Sequence, residues 1–235
     1  MRTQDFDAPA SGGPQAAGQV ELAERLILPG FVMRFGRNEE IFGEGEEADF
    51  VYRVVAGVVR TTRFLADGRR RVCGFHLPGE LFGVESGGLH RFSAEAVGEC
   101  QIALVRQAVL VEAVERRPAA AHALWAASRR DLERLQEHMV LLGRRSAAER
   151  VGGFLLEMAE RAVQIPTELD AASGRVRMPE IDLPMSRLDI ADYLGLTIET
   201  VSRTFTQFER ARIIGLPTSR HVVVRDRQAL ADAQA

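Results

Sequence analysis

A change of periodicity at Pro118 constrains this chain more than any other feature. Before it, glycines cut the sequence into short β-branched runs; after it, apolar residues recur at helical spacing. From about Val20 to Leu110, runs such as 50–60 (FVYRVVAGVVR) and 100–105 (CQIALV) alternate with turn signals, among them Ala66-Asp67-Gly68 ahead of Val72-Cys73-Gly74-Phe75. Many short strands at that spacing predict a sandwich or small barrel. Pro118 itself suits the first turn of a helix. Beyond it Ala121, Trp125, Ser128, Leu132, Leu135, Met139 and Leu142 recur in steps of four and three, up to Gly143. The alternative is one amphipathic helix packed on its own domain. The stripe is narrow, however, and bordered by Arg129, Arg130, Glu133, Arg134 and Glu137, which suits a partner helix better. The seam therefore predicts a parallel homodimer.

The remainder alternates capped helices with short strands. Ser146 and Glu149 have capping-box spacing and open a helix through about Ala162, with Val151, Phe154, Leu155 and Met158 on its apolar side. Ser173-Gly174 marks a turn between short strands. Ser186 and Asp189 repeat the cap pattern for a helix from Arg187 to Leu194, which Gly195 ends. Thr197 caps the next, roughly Ile198 to Arg212. Ile213–Leu216 and His221–Arg225, joined by a turn at Pro217–Arg220, read as a hairpin. Two helices around a tight glycine turn, then a hairpin, make a winged helix-turn-helix. The fold class is α+β. We expect a disordered tail at 1–19, from its Ala/Gly/Pro/Ser/Gln composition, and a β-domain at 20–115. A dimerisation helix follows at 116–143 and the winged helix-turn-helix at 144–235.

Charge and composition exclude several classes. A net charge of −3 over 235 residues does not hold nucleic acid by bulk charge, so any such role needs a local patch. All 30 basic residues are arginine. No run approaches the roughly 18 apolar residues of a membrane span. Asp5 and Asp7 argue against a signal peptide, so the expected location is cytoplasmic. Two cysteines, Cys73 and Cys100, give neither a disulfide framework nor a metal quartet, and buried packing is the favoured reading of both. The five histidines, His76, His90, His122, His138 and His221, lack metal-ligand spacing. No nucleophile–base arrangement or phosphate loop points to an enzyme.

The chemistry concentrates at the start of the last long helix. Glu199, Ser202 and Arg203 project from neighbouring positions on one face. Arginine grips the two acceptors of guanine, glutamate accepts from the cytosine amino group, and serine serves either. The competing reading is a solvated ion pair between Glu199 and Arg203. The capped helix before them, the Gly195 turn and the hairpin after them favour DNA.

The segment 183–203 (LPMSRLDIADYLGLTIETVSR) resembles the DNA-binding signature of the Crp/Fnr regulators, most closely the FixK-type branch. Residues 41–49 (IFGEGEEAD), 57–59 (GVV) and 74–83 (GFHLPGELFG) are similar to the family's cyclic-nucleotide-type β-roll. The likeness runs from about residue 20 to 228. It implies base reading by Glu199, Ser202 and Arg203 at a TTGAT-NNNN-ATCAA-like palindrome. Thr197 and Thr200 would lie at the DNA backbone, where a helix N-terminus favours anions. It further implies a homodimeric activator that contacts RNA polymerase and controls low-oxygen or nitrogen-oxide-related genes.

Departures from the family pattern bear on cofactors. Fnr-type iron–sulfur ligation needs an N-terminal cysteine cluster, and residues 1–40 have no cysteine. Nucleotide-binding members pair a glutamate with an adjacent Arg-Ser. Glu80 is present, but Phe92 splits Arg91 from Ser93, which argues against cyclic-nucleotide binding. His76 and His90 leave an axial haem ligand open. Some FixK-type members carry a cysteine where this chain has Ser186, which reads here as an N-cap. The alternative function is an effector-responsive sensor module, for haem or a cyclic nucleotide, or a β-roll metal enzyme.

Overall fold

The computed structural model describes residues 18–23, 26–85, 88–143, 146–163 and 180–232. The expected tail up to residue 17 and the Ser173-Gly174 turn lie outside them. The chain separates into two compact units, residues 1–61 with 75–128, and residues 62–74 with 129–235.

The first unit is built on strands. β1 (Gly18–Ala23), β2 (Leu26–Phe35), β4 (Phe50–Ala56), β7 (Leu81–Phe82) and β9 (Cys100–Arg106) form one sheet in the order β1-β2-β9-β4-β7. A second sheet runs β3-β8-β5-β6, with β3 Glu40–Phe42, β8 Ser93–Ala96, β5 Val59–Phe64 and β6 Arg70–His76. Alternation explains how the five-stranded sheet is covered on both faces. Phe50, Tyr52 and Val54 of β4, with Cys100, Ile102 and Leu104 of β9, face an aromatic core shared with Phe42, Val59 and Phe82. The intervening Val51, Ala103 and Val105 face a second core with Leu22, Leu28 and helix α1 (Gln107–Arg116). Gly57, with φ of 85°, turns β4 into β5; a Cβ there would lie 2.4 Å from the Glu99 carbonyl oxygen. Only glycine fits.

Two boundaries differ from the sequence reading. Gly18 and Gln19 open β1, paired with Gly30 and Pro29, instead of closing the tail. Residues 107–116 form α1, where the sequence suggested only the end of the β-domain. Its three valines favour strand locally, but Leu110 and Ala113, one turn apart, are buried on the sheet. Arg117 is extended, as the residue before a proline prefers, and separates α1 from α2 (Pro118–Leu142).

The second unit is helical around a small sheet. It holds α3 (Ala147–Val163), α4 (Arg187–Leu194), α5 (Ile198–Arg210) and α6 (Arg227–Asp232). The sheet has the order β10-β12-β11, with β10 Glu180–Asp182, β11 Ile214–Gly215 and β12 His221–Val224. Val151, Phe154, Leu155 and Met158, the expected apolar side of α3, are all buried. The outer part of the β5–β6 hairpin and the last turns of α2 belong to this unit.

Candidate nucleic-acid interface

The interface starts from its caps. Ser186 Oγ accepts the Asp189 N–H at 3.1 Å, and Asp189 Oδ2 accepts the Ser186 N–H at 3.0 Å. This reciprocal box fixes where α4 begins. Gly195 ends the helix in the left-handed region, φ 64° and ψ 39°, where a side chain is strained. Two residues later Thr197 caps α5 by accepting the Thr200 N–H at 3.2 Å. Both helix starts and the bend between them are therefore set by residues legible in the sequence.

Helix α5 buries Val201, Thr204, Phe205 and Phe208. Helical geometry then turns Glu199, Ser202 and Arg203 to the opposite side, and all three are exposed. The ion pair weighed against base reading does not form: Glu199 and Arg203 do not come within 4 Å. The Glu199 carboxylate is held below the usual range, first by its own backbone N–H and next by the Thr197 hydroxyl. The charge of Arg203 contributes less. Among the described residues Arg203 has no ion-pair partner. Thr197 is exposed and Thr200 half-buried, their hydroxyl oxygens 3.1 Å apart in the first turn. There the helix presents the positive end of its dipole. A phosphate fits such a place.

One residue at this interface escaped the sequence reading. The Arg187 guanidinium lies 3.4 Å from the centroid of the Phe205 ring, and its Nη2 donates to the Ser219 carbonyl at 3.1 Å. It thus ties α4 to α5 and to the hairpin turn. Burial lowers its pKa to about 10, which still leaves it charged at neutral pH. Neither partner is near Arg187 in sequence, so no local pattern marks it. The hairpin is held further by Leu183, whose N–H donates to the Arg220 carbonyl at 2.7 Å, and by Thr218, which accepts the His221 N–H at 3.0 Å. Arg220 itself is exposed at the turn.

The helix seam is open to solvent. Trp125 is 72% exposed, Met139 71%, and Leu132 and Leu135 55% each; Ser128 is exposed and Leu142 half-buried. The covered positions of α2 are others, notably Ala120 and Leu141. Among the described residues the seam is thus not part of a core.

In the β-roll, Glu80 Oε2 accepts the Leu77 N–H at 2.9 Å, Ser93 Oγ accepts the Glu44 N–H at 3.0 Å, and Arg91 is exposed. His90 is 2% exposed, its ring stacked on Phe42 with centroids 3.6 Å apart. Burial lowers its pKa, and neither ring nitrogen has a hydrogen-bond partner among the described residues. His76 Nε2 lies 3.4 Å from the Thr61 hydroxyl. Cys100 is buried, its thiol pushed up by burial, with Sγ donating to the Val58 carbonyl at 3.1 Å. Cys73, expected to be buried like it, is only half-buried, because it sits in the outer part of the β5–β6 hairpin. Among the described residues no three His, Cys, Asp or Glu side chains gather as a metal site, and no helix is long and apolar enough to cross a membrane.

Comparison with known proteins agrees with this architecture. Residues 149–233 match the Crp-like helix-turn-helix domain, and residues 32–117 match the cyclic nucleotide-binding domain. The nitrogen fixation regulation protein FixK of Azorhizobium caulinodans is 50% identical over 196 residues, covering 83% of this chain and 76% of that protein. The transcriptional activatory protein AadR of Rhodopseudomonas palustris is 40% identical, covering 77% of this chain and 72% of its own. The structure of FixK2 from Bradyrhizobium japonicum superposes with a TM-score of 0.76 at 43% identity, over 88% of this chain and 98% of that one. These relatives are regulators, and the metal-enzyme alternative falls away. A β-roll, a long helix and a capped helix-turn-helix with its hairpin, matched over most of each relative, identify a DNA-binding regulator: the chain belongs to the Crp/Fnr family of transcription regulators, in its FixK-type branch.

Proposed function

We propose that the protein is a cytoplasmic activator that binds, as a homodimer, a TTGAT-NNNN-ATCAA-like palindrome. Glu199, Ser202 and Arg203 read base edges, and Thr197 and Thr200 contact the backbone. The observation that carries this reading is the exposed Glu199–Ser202–Arg203 face on a helix fixed by its Thr197 cap. Guanine's two acceptors and cytosine's amino group are the matching partners in the major groove. Homodimerisation through the α2 seam is supported by the exposure of Trp125, Leu132, Leu135 and Met139. Two half-sites about one helical turn apart require two reading helices. Contact with RNA polymerase and control of low-oxygen or nitrogen-oxide-related genes follow from the family resemblance; the activator role follows from it and from the name of AadR.

We infer also that the β-roll works without an iron–sulfur cluster or a cyclic nucleotide. The support is the absence of cysteine from residues 1–40 and the hydrogen bonds that occupy Glu80 and Ser93. His76 and the tightly packed His90 are the histidine candidates for a haem ligand. The test is a gel shift with the palindrome against a scrambled duplex, followed by transcription with purified polymerase. Selective binding and stimulated transcripts are expected. Equal weak binding to both duplexes would remove the base-reading role, and repression at every promoter would remove the activator role.

A further inference from the structure

Residues 62–74, the outer part of the β5–β6 hairpin, pack within the same unit as the helix-turn-helix. Arg70 is the centre of that packing. Its Nη2 lies 2.7 Å from Asp189 Oδ1 and 2.8 Å from Asp192 Oδ2, and its Nε donates to Asp192 Oδ2 at 2.9 Å. Asp189 is 3% exposed and is the same carboxylate that closes the Ser186 capping box. Its two oxygens are thus divided between starting α4 and holding the hairpin. Asp189 and Asp192 stand one turn apart on α4, where two carboxylates repel unless a cation lies between them. The neighbouring Arg71 lies against the bend after α4, its Nη1 2.8 Å from where a Cβ on Gly195 would be. The hairpin therefore touches α4 at its cap, at its middle and at the turn into α5.

We propose that Arg70 is a positioning residue for DNA binding, bracing α4 through Asp189 and Asp192 so that the reading helix after it is held in place. The brace is specific in its chemistry. A planar guanidinium serves two carboxylates in fixed geometry, and removing it leaves a buried charge short of a partner. Arg70 also stands where β6 begins, and β6 pairs with β5 in the sheet that holds β3 and β8. Strand β6 thus begins, within this unit, at a contact with the DNA-binding helices. The proposal rests on the DNA-binding role of α5 and names a residue outside it.

The test compares Arg70→Gln with Arg69→Gln. Arg69 is exposed and, among the described residues, its side chain pairs only with Asp67 at the hairpin tip, so both variants lose one positive charge but only the first loses the brace. The DNA is a duplex that the wild-type protein selects from a random-sequence pool. Arg70→Gln is expected to bind about tenfold more weakly than Arg69→Gln, the scale of coupling through packed contacts. Preference among single-base variants of the duplex is expected to be kept. Backbone amides of α4 should exchange hydrogen faster in Arg70→Gln without DNA present. The Arg70→Gln/Asp192→Asn double variant should bind no worse than Arg70→Gln alone. Affinity within about twofold of Arg69→Gln, the usual scatter of surface substitutions, overturns the proposal. So does a loss of affinity with α4 exchange unchanged. Should Arg70→Gln fail to fold, Asp192→Asn decides: weaker binding with faster α4 exchange supports the brace, and wild-type values overturn it. If the wild-type protein selects no duplex, the base-reading role has failed instead, and α4 exchange alone decides the brace.

Discussion

Arg203 and Glu199 sit four residues apart on one exposed face, yet their chemistry assigns them different losses. Arg203→Ala is expected to cost about 1–3 kcal/mol at the cognate site, because a paired arginine–guanine contact carries that much discrimination. Glu199→Ala should mainly relax the choice at its own base pair. A phosphate-contacting arginine behaves otherwise: its loss weakens all sequences alike and lowers the slope of affinity against salt by about one. Titrating the palindrome and its single-base variants at two salt concentrations separates the cases. Uniform weakening by Arg203→Ala would make it a backbone contact. The exposed placement of these residues was legible in the sequence because helical period alone puts 199, 202 and 203 on one side and Val201 and Phe205 on the other. Arg187 and Arg70 were not. Each acts through partners distant along the chain, Phe205 and Ser219 for one, Asp189 and Asp192 for the other. Only folding brings such partners together.

Elements with a cap at one end and a glycine at the other were read almost to the residue, as α4 and the start of α5 illustrate. Helix α1 was missed because valine-rich local preference pointed to strand while burial on the sheet decided for helix. Helix α2 carries two predictions. Replacing Leu132 and Leu135 with glutamate should give a monomer with little operator affinity, since both are exposed and their loss leaves no hole inside the subunit. Sedimentation velocity checks this; an unchanged tight dimer would place the interface elsewhere. The second concerns His138, stacked on Tyr193 with ring centroids 3.9 Å apart. Burial, helped by the charge of Arg71, lowers its pKa to about 4. The unfolded chain then binds a proton more readily than the folded one. Stability from this group is complete above about pH 6.5 and drains as pH falls toward 4. Urea unfolding between pH 7 and pH 5 should show a loss that His138→Phe reduces. His90, also lowered by burial, adds in the same direction, so some slope remains in the variant. His221 opposes it, since Asp182 raises its pKa and its contribution is lost as pH rises. Identical slopes in wild type and His138→Phe would mean that the imidazole titrates freely.

At the scale of the whole molecule, the β-roll matches the cyclic nucleotide-binding domain, and Glu80 and Ser93 make hydrogen bonds of their own within it. Glu80 accepts the Leu77 N–H and Ser93 accepts the Glu44 N–H. Operator affinity should therefore be the same with and without cyclic AMP or cyclic GMP, measured by fluorescence anisotropy of a labelled duplex. A large gain with either nucleotide would show that the segment 91–93 still closes on a phosphate. If neither a cluster nor a nucleotide gates the protein, the open stripe of Trp125, Leu132, Leu135 and Met139 acquires another meaning. In the proposed dimer each subunit contributes one reading helix, and a two-part operator requires two. While subunits are mostly unassociated, the amount of paired protein grows as the square of the amount synthesised. Promoter occupancy then rises more steeply than expression of the chain, and the cell's rate of making the protein becomes a graded input in its own right.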